Sequence, residues 1–207
     1  MTGYLIRLYG DPQPQGNKTA FAVRRKGAGG QWEYTGRVAV VEGRRPKSQA
    51  GIKSWRGEVR EAAVEARGAA PPLHGPVGLR VTFTLRRPKA HYGTGRNSEV
   101  LRAGAPAYPT TRPDGGKLQR AIEDALRDAG VYDDDAQVVQ WHGAKVYPAD
   151  STWPAGLAEA ADPAALCGDM ASDALASPGV VIRVWPIAAQ APQPGSAAAT
   201  QDALPGA

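Results

Sequence analysis

One cysteine, Cys167, and two methionines hold all the sulfur in a chain of 207 residues. A disulfide framework is thereby excluded, and so is any zinc site that needs several cysteines. Phenylalanine is as scarce, at two, and Leu, Ile, Val and Phe together make about 17% of the chain. That fraction lies below the rough 20% level at which disorder competes with folding. The charge argues the other way. A net +5 is too small to hold the chain open, and Val and Ile gather in short runs, so a folded domain diluted by Ala, Gly and Pro is expected. No stretch approaches 18 apolar residues, which removes a membrane-spanning helix. The first ten residues carry Arg7 inside a short apolar run without a cleavage site, so the expected location is cytoplasmic.

What is present is unevenly placed. Residues 1–150 hold 24 Lys and Arg against 15 Asp and Glu, whereas 151–207 hold one against five. Two readings fit the basic part: a surface for a polyanion, or the Arg- and Ala-rich solvated surface of a GC-rich genome. The expected organisation is one domain over 1–187, with an Ala, Asp and Pro-rich insert at 151–177 holding at most a weak helix, and a disordered tail over 188–207.

Strands are expected at 4–9, near 37–41, at 77–85, within 136–147 and at 180–187. The run from Val77 to Leu85 alternates apolar with Gly or polar residues, the period of a half-buried strand. Helices are expected over 48–66, where Ile52, Trp55 and Val59 recur at helical spacing, and over 117–129, where Leu118, Ile122, Ala125 and Leu126 do. Gly130 is placed to end the second helix. Between strand and helix lies a long Gly, Pro, Arg and Thr-rich loop, 86–116, of the kind that is functional or disordered.

Two glycine-rich stretches do not carry their apparent chemistry. The segment Gly10 to Thr19 has one residue too many for a phosphate-binding loop and prolines where amide donors are needed. The segment His91 to Asn97 lacks the third glycine and the helix of a dinucleotide site. No nucleotide cofactor is expected, and His74, His91 and His142 stand alone in sequence.

The acids are more informative. Asp114 precedes the second helix, Asp124 lies on its polar face, and Asp133, Asp134 and Asp135 follow it. Three adjacent acids read either as a solvated turn or as part of a site for a hard, oxygen-preferring cation such as Mg²⁺ or Mn²⁺. A helix of about 12 residues runs about 18 Å, and the residues from Ala129 to Asp135 return at most about 23 Å. Asp135 is therefore expected to reach back to Asp114.

The run from Pro113 to Ala121, then Asp124-Ala125-Leu126, Ala129-Gly130-Val131-Tyr132 and Asp134 to Val139, resembles the core signature of RusA-type Holliday junction resolvases. Weaker support comes from the N-terminal strand with Gly10 to Pro14, the basic Arg86-Arg87-Pro88-Lys89, and Lys145-Val146-Tyr147. The long Gly/Pro loop is of the kind carried by relatives in actinobacterial phages and prophages. The resemblance implies an α+β fold, a small mixed β-sheet packed with two main helices. It also implies a homodimer acting as a Mg²⁺-dependent endonuclease that resolves four-way DNA junctions by paired nicks, with Mn²⁺ able to substitute.

The essential acids of that family fall on Asp114, on position 116 and on Asp135. Position 116 is Gly. Its basic residue falls on Arg120, where Lys is familiar, and Lys117 stands where Asn is common. Asp114, Asp135 and Arg120 are thus the expected catalytic residues, and Asp114, Asp135 and Asp134 the expected metal ligands. Lys117, Arg120, Lys145, Lys18, Arg86 and Arg87 are the expected DNA contacts. Residues two apart in an extended segment point the same way, so Gly116 would leave the metal one carboxylate short. Two further readings remain: a branched-DNA-binding protein without catalysis, and a protein unrelated to nucleic acid whose acidic turn only binds cations.

Overall fold

A computed structural model of the chain describes residues 3–16, 18–42, 46–148 and 173–188. The expected weak helix within the insert, Cys167 and the tail from 189 onward lie outside these residues. The elements are β1 (Tyr4–Tyr9), β2 (Lys18–Lys26), β3 (Trp32–Glu42), α1 (Pro46–Arg67), β4 (Val77–Thr84), α2 (Gly115–Asp128), β5 (Val138–Val146) and β6 (Gly179–Pro186). The fold is α+β. Four strands form a mixed sheet in the order β1-β6-β4-β5, with β4 and β5 parallel and the other pairs antiparallel. Strands β2 and β3 form a separate two-stranded antiparallel hairpin.

The sheet is built around β4, and every one of its residues is buried. The alternation of its sequence predicts one wet face, and the structure corrects that. Leu79, Val81 and Phe83 meet Val180, Ile182 and Val184 of β6, Trp55 and Val59 of α1, and Leu118 and Ile122 of α2 in one core. The other face is covered as well. Arg80 and Arg183 stand directly opposite each other in the β4–β6 register, and Asp173 lies with both. Asp173 accepts two hydrogen bonds from Arg183, at 2.8 and 3.2 Å, and sits 3.4 Å from Arg80. The Leu175 amide donates to the Thr84 hydroxyl at 3.0 Å. The last residues of the expected insert, from Asp173 onward, thus close the second face of the sheet.

Gly78 marks how tightly that face is packed, since a Cβ there would overlap the Trp185 ring. Strand β2 is the element that sequence patterning missed. Its signal was present: Gly27 to Gly30 punctuates two runs with strand composition, the usual mark of a hairpin. Among the described residues no helix is long and apolar enough to cross a membrane.

Candidate active site at the two ends of helix α2

Helix α2 presents Leu118, Ala121, Ile122, Ala125 and Leu126 to the core and so turns its polar face outward. Asp114 is its N-cap residue, in an extended conformation, and its carbonyl accepts from the amides of Lys117 and Leu118 at 3.2 Å. The Asp114 side chain does not cap the helix. It is exposed and lies 3.2 Å from the Lys117 ammonium. Lys145, near the end of β5, donates to the carbonyls of Thr111 and Pro113 at 2.9 and 3.1 Å. It thereby holds the backbone that delivers Asp114. Arg120 is exposed one turn further along and has no ion pair among the described residues.

The acidic turn sits at the opposite end. Helix α2 has 14 residues and spans about 21 Å. It ends in a Schellman turn: Gly130 at φ +69°, its amide donating to the Arg127 carbonyl, and the Val131 amide donating to that of Leu126. The chain does not then run back along the helix, because Val131 and Tyr132 are buried at once. Leu73 donates its amide to the Val131 carbonyl at 2.8 Å, and the Tyr132 hydroxyl donates to the Glu123 carbonyl at 3.1 Å. Gln137 fastens the rest. Its amide group donates to the carbonyls of Leu73 and Gly75, and its oxygen accepts from the amides of Asp133 and Asp134. Asp134 accepts from the Ala136 amide at 2.8 Å and caps the short 3₁₀ turn Asp135–Gln137.

Asp135 consequently meets the last turn of α2, with one carboxylate oxygen 3.3 Å from Arg127. Its other oxygen is buried and has no hydrogen-bond partner among the described residues. Burial pushes the Asp135 carboxyl up from its ordinary value. Arg127 opposes that shift, while Asp124, Asp134 and Asp128 add to it. The expectation that Asp135 returns to Asp114 is therefore not met within one chain. Anchoring by Val131, Tyr132 and Gln137 outweighs the length of chain available.

The other residues singled out in the sequence are dispersed. Asp124 is engaged between the helices, accepting from the Gln15 side chain at 2.9 Å and lying 3.5 Å from Arg56 of α1. Asp133 pairs with His74 at 3.3 Å. Arg86 makes a two-point contact with Asp11, at 3.0 and 3.2 Å. Arg87 stacks on Tyr147 at 4.0 Å and donates to the Pro106 carbonyl. Lys18 opens β2, and its side chain lies outside the described ones. Arg127 and Arg56, which order the acidic end of α2, were not singled out; Arg56 reaches Asp124 and Asp128 from α1, which sequence spacing does not show, whereas Arg127 stands three residues from Asp124 on α2, a spacing that marks a helical ion pair.

Gly116 is not in an extended segment. It is the second residue of α2, and a Cβ there meets nothing within 4 Å. Asp114 and position 116 therefore lie around one helical turn and not side by side on a strand.

An acidic turn at one end of a helix and exposed basic side chains at the other, on a small α+β domain, are features that suit contact with a polyanionic backbone. The family comparison makes that specific. A family model described as endodeoxyribonuclease RusA matches residues 34–152, more than half of the chain, and the chain belongs to that family of DNA nucleases. No curated protein matches it.

Nucleases of this family generally use a divalent metal ion. Asp114 and Asp135 stand at opposite ends of a helix of about 21 Å. Among the described residues no group of three or more His, Cys, Asp or Glu is placed to hold a metal. The described side chains of the chain do not by themselves make a complete Mg²⁺ or Mn²⁺ cage.

Proposed function

We propose that the chain is an endonuclease for four-way DNA junctions that works as a two-fold homodimer, with its carboxylate set shared between protomers. The observation that carries this reading is the separation of Asp114 from Asp135 in a member of a nuclease family. Cutting two strands symmetrically calls for two sites related by a two-fold axis. The same axis supplies a partner's acidic turn for each Asp114 end. The buried, unpartnered oxygen of Asp135 is an acceptor waiting for a donor or a cation. Mg²⁺, with Mn²⁺ as substitute, is the ion that such oxygen donors select. Asp114 of one protomer and Asp135 of the other would hold such an ion, whose chemistry would be charge stabilisation at a phosphodiester.

The phosphate contacts in this reading are Lys117 and Arg120 on the first turns of α2, with Lys18, Arg86 and Arg87 as further contacts away from that helix. Lys145 acts by holding the Pro113 carbonyl. Asp134, as the cap of its turn, fixes the direction of Asp135.

Complementation tests the shared site. Asp114→Asn and Asp135→Asn are each expected to lose nicking of a synthetic four-way junction in Mg²⁺ or Mn²⁺. Mixed and re-equilibrated, they should regain it, because half of the sites in a mixed dimer then carry both acids. A mixture as inactive as either variant would mean that the site is not shared.

One observation favours a second reading, junction binding without cleavage. Gly115 and Gly116 add no carboxylate to the first turn of α2, and nothing lies within 4 Å of where a Cβ would stand on either. Such a helix start attracts phosphate and not a cation. Junction binding with no nicking in either metal would select this reading.

A further inference from the structure

The β2–β3 hairpin belongs to neither the core nor the α2 site. Apart from each other, its strands have no extended contact with another element of the described residues. Its first strand, its tip and Trp32 precede the region shared with the family, residues 34–152. An isolated two-stranded hairpin is marginal in water, yet this one displays Trp32 and Tyr34 at 66% and 64% exposure.

The register explains what the hairpin offers. Lys26 stands opposite Trp32 and Arg24 opposite Tyr34, so cations and rings share one face. The Arg24 guanidinium lies 4.5 Å over the Tyr34 ring. Arg24, Arg25, Lys26 and Arg37 against Glu33 give residues 20–40 a net +3. The root of the hairpin follows Gln15 by three residues, and the Gln15 backbone amide donates to the Lys117 carbonyl at 3.0 Å, in the first turn of α2. From that root a strand of nine residues reaches about 30 Å.

We propose that the β2–β3 hairpin is a DNA-binding arm that grips one limb of the junction by its phosphates and stacks Trp32 and Tyr34 on bases unstacked at the branch. The inference rests on the reading of the chain as a junction-binding protein and adds the element that recognises the branch. A two-stranded ribbon fits the major groove of a duplex limb. Alternating cations and rings suit a strand whose bases are splayed, since base–aromatic stacking is tolerant of sequence. Arg24, Arg25 and Lys26 supply counterion release. Self-association through the same face is disfavoured by bringing two +3 arms together, although exposed Val38 and Val40 near the root make it the rival outcome.

The experiment measures binding of the full chain to a four-way junction carrying 2-aminopurine at the branch and to a linear duplex, across a salt series, with sedimentation on the same samples. The double variant Trp32→Ala, Tyr34→Ala should bind the junction about tenfold more weakly, bind duplex nearly as before, and lose the change in 2-aminopurine emission. The triple variant Arg24→Gln, Arg25→Gln, Lys26→Gln should lower the log–log salt slope by about 2–3. Both should keep the parent's thermal midpoint and oligomeric state. If the parent binds the junction and both variants bind it equally well, the arm is not a DNA element and the nuclease reading stands. If the variants change oligomeric state instead, the arm is a dimer contact and the proposal falls. If the parent itself does not prefer the junction, the reading under Proposed function fails and takes the arm with it.

Discussion

Strands β4 and β3 are both rich in β-branched and aromatic residues, yet β4 is buried along its whole length and β3 exposes Trp32, Tyr34, Val38 and Val40. The difference lies in what covers them. Strand β4 has a neighbour on each edge, two helices on one face, and Trp185 with the Asp173 segment on the other. Among the described residues strand β3 pairs only with β2. Similar local composition thus does two jobs, holding the domain together in one place and presenting side chains to the outside in the other. The two ends of α2 fall between these extremes, with buried anchors on one side and exposed charge on the other.

The sharpest way to break the comparison is to attack the second face of β4. Asp173→Ala leaves Arg80 and Arg183 opposed in a buried site, and it should cost about 3–5 kcal/mol of stability in urea unfolding. A loss below about 1 kcal/mol would show that water already reaches the pair and that the face is not closed.

Gly78→Ala should cost about 1–3 kcal/mol, because the Trp185 ring must be displaced within a packed layer. A neutral result in calorimetry would mean that Trp185 can leave the sheet.

At the N-terminus of α2, Gly116→Asp should stabilise by about 0.5 kcal/mol, through helix propensity and favourable charge in a first turn that holds no acid beyond the N-cap Asp114. Open space at that position removes a steric penalty. The same variant should raise junction nicking if the missing carboxylate limits activity. Unchanged nicking with a raised thermal midpoint would show that the partner's acids already complete the site.

At the other end, Asp135→Asn should stabilise the metal-free protein at neutral pH, and the gain should vanish at low pH. The folded-state pKa of Asp135 is raised, so ionisation weakens the fold as pH rises through the carboxylate range. Below about pH 4 both forms are neutral and the variants should unfold together. A constant difference from pH 3 to 7 would mean that lost packing, and not charge, sets the effect.

The smallest effect is expected on the arm. Val38→Thr should change stability by no more than about 0.5 kcal/mol, and a larger loss would reveal a cover over the hairpin that equals that over β4.

Much of the fold was legible locally. The periodicity of Ile52, Trp55 and Val59, and of Leu118, Ile122 and Leu126, marks the two helices that the structure contains. Gly130 ends α2 because only a residue tolerant of positive φ fits there. The dense run from Pro113 to Val139 also carried the family. Strand β2 was missed although its turn was visible, because a hairpin without extended contacts among the described residues leaves no burial pattern to read. The dry second face of β4 was missed because the covering residues, Asp173 and Leu175, lie some ninety positions away in an Ala-rich stretch.

The amino-acid sequence by itself determined the helices, the mixed-sheet strands, the basic balance of the first 150 residues and the family, since these depend on spacing and residue type over short distances. Only the tertiary structure decided where the acids stand. Chain length allowed Asp135 to reach Asp114, but burial of Val131 and Tyr132 and the hydrogen bonds of Gln137 hold the acidic turn against Arg127 at the far end of α2. Apolar anchors and satisfied backbone groups outweigh the attraction between a few exposed charges, and those anchors become visible only when the turn is seen against Leu73 and Glu123.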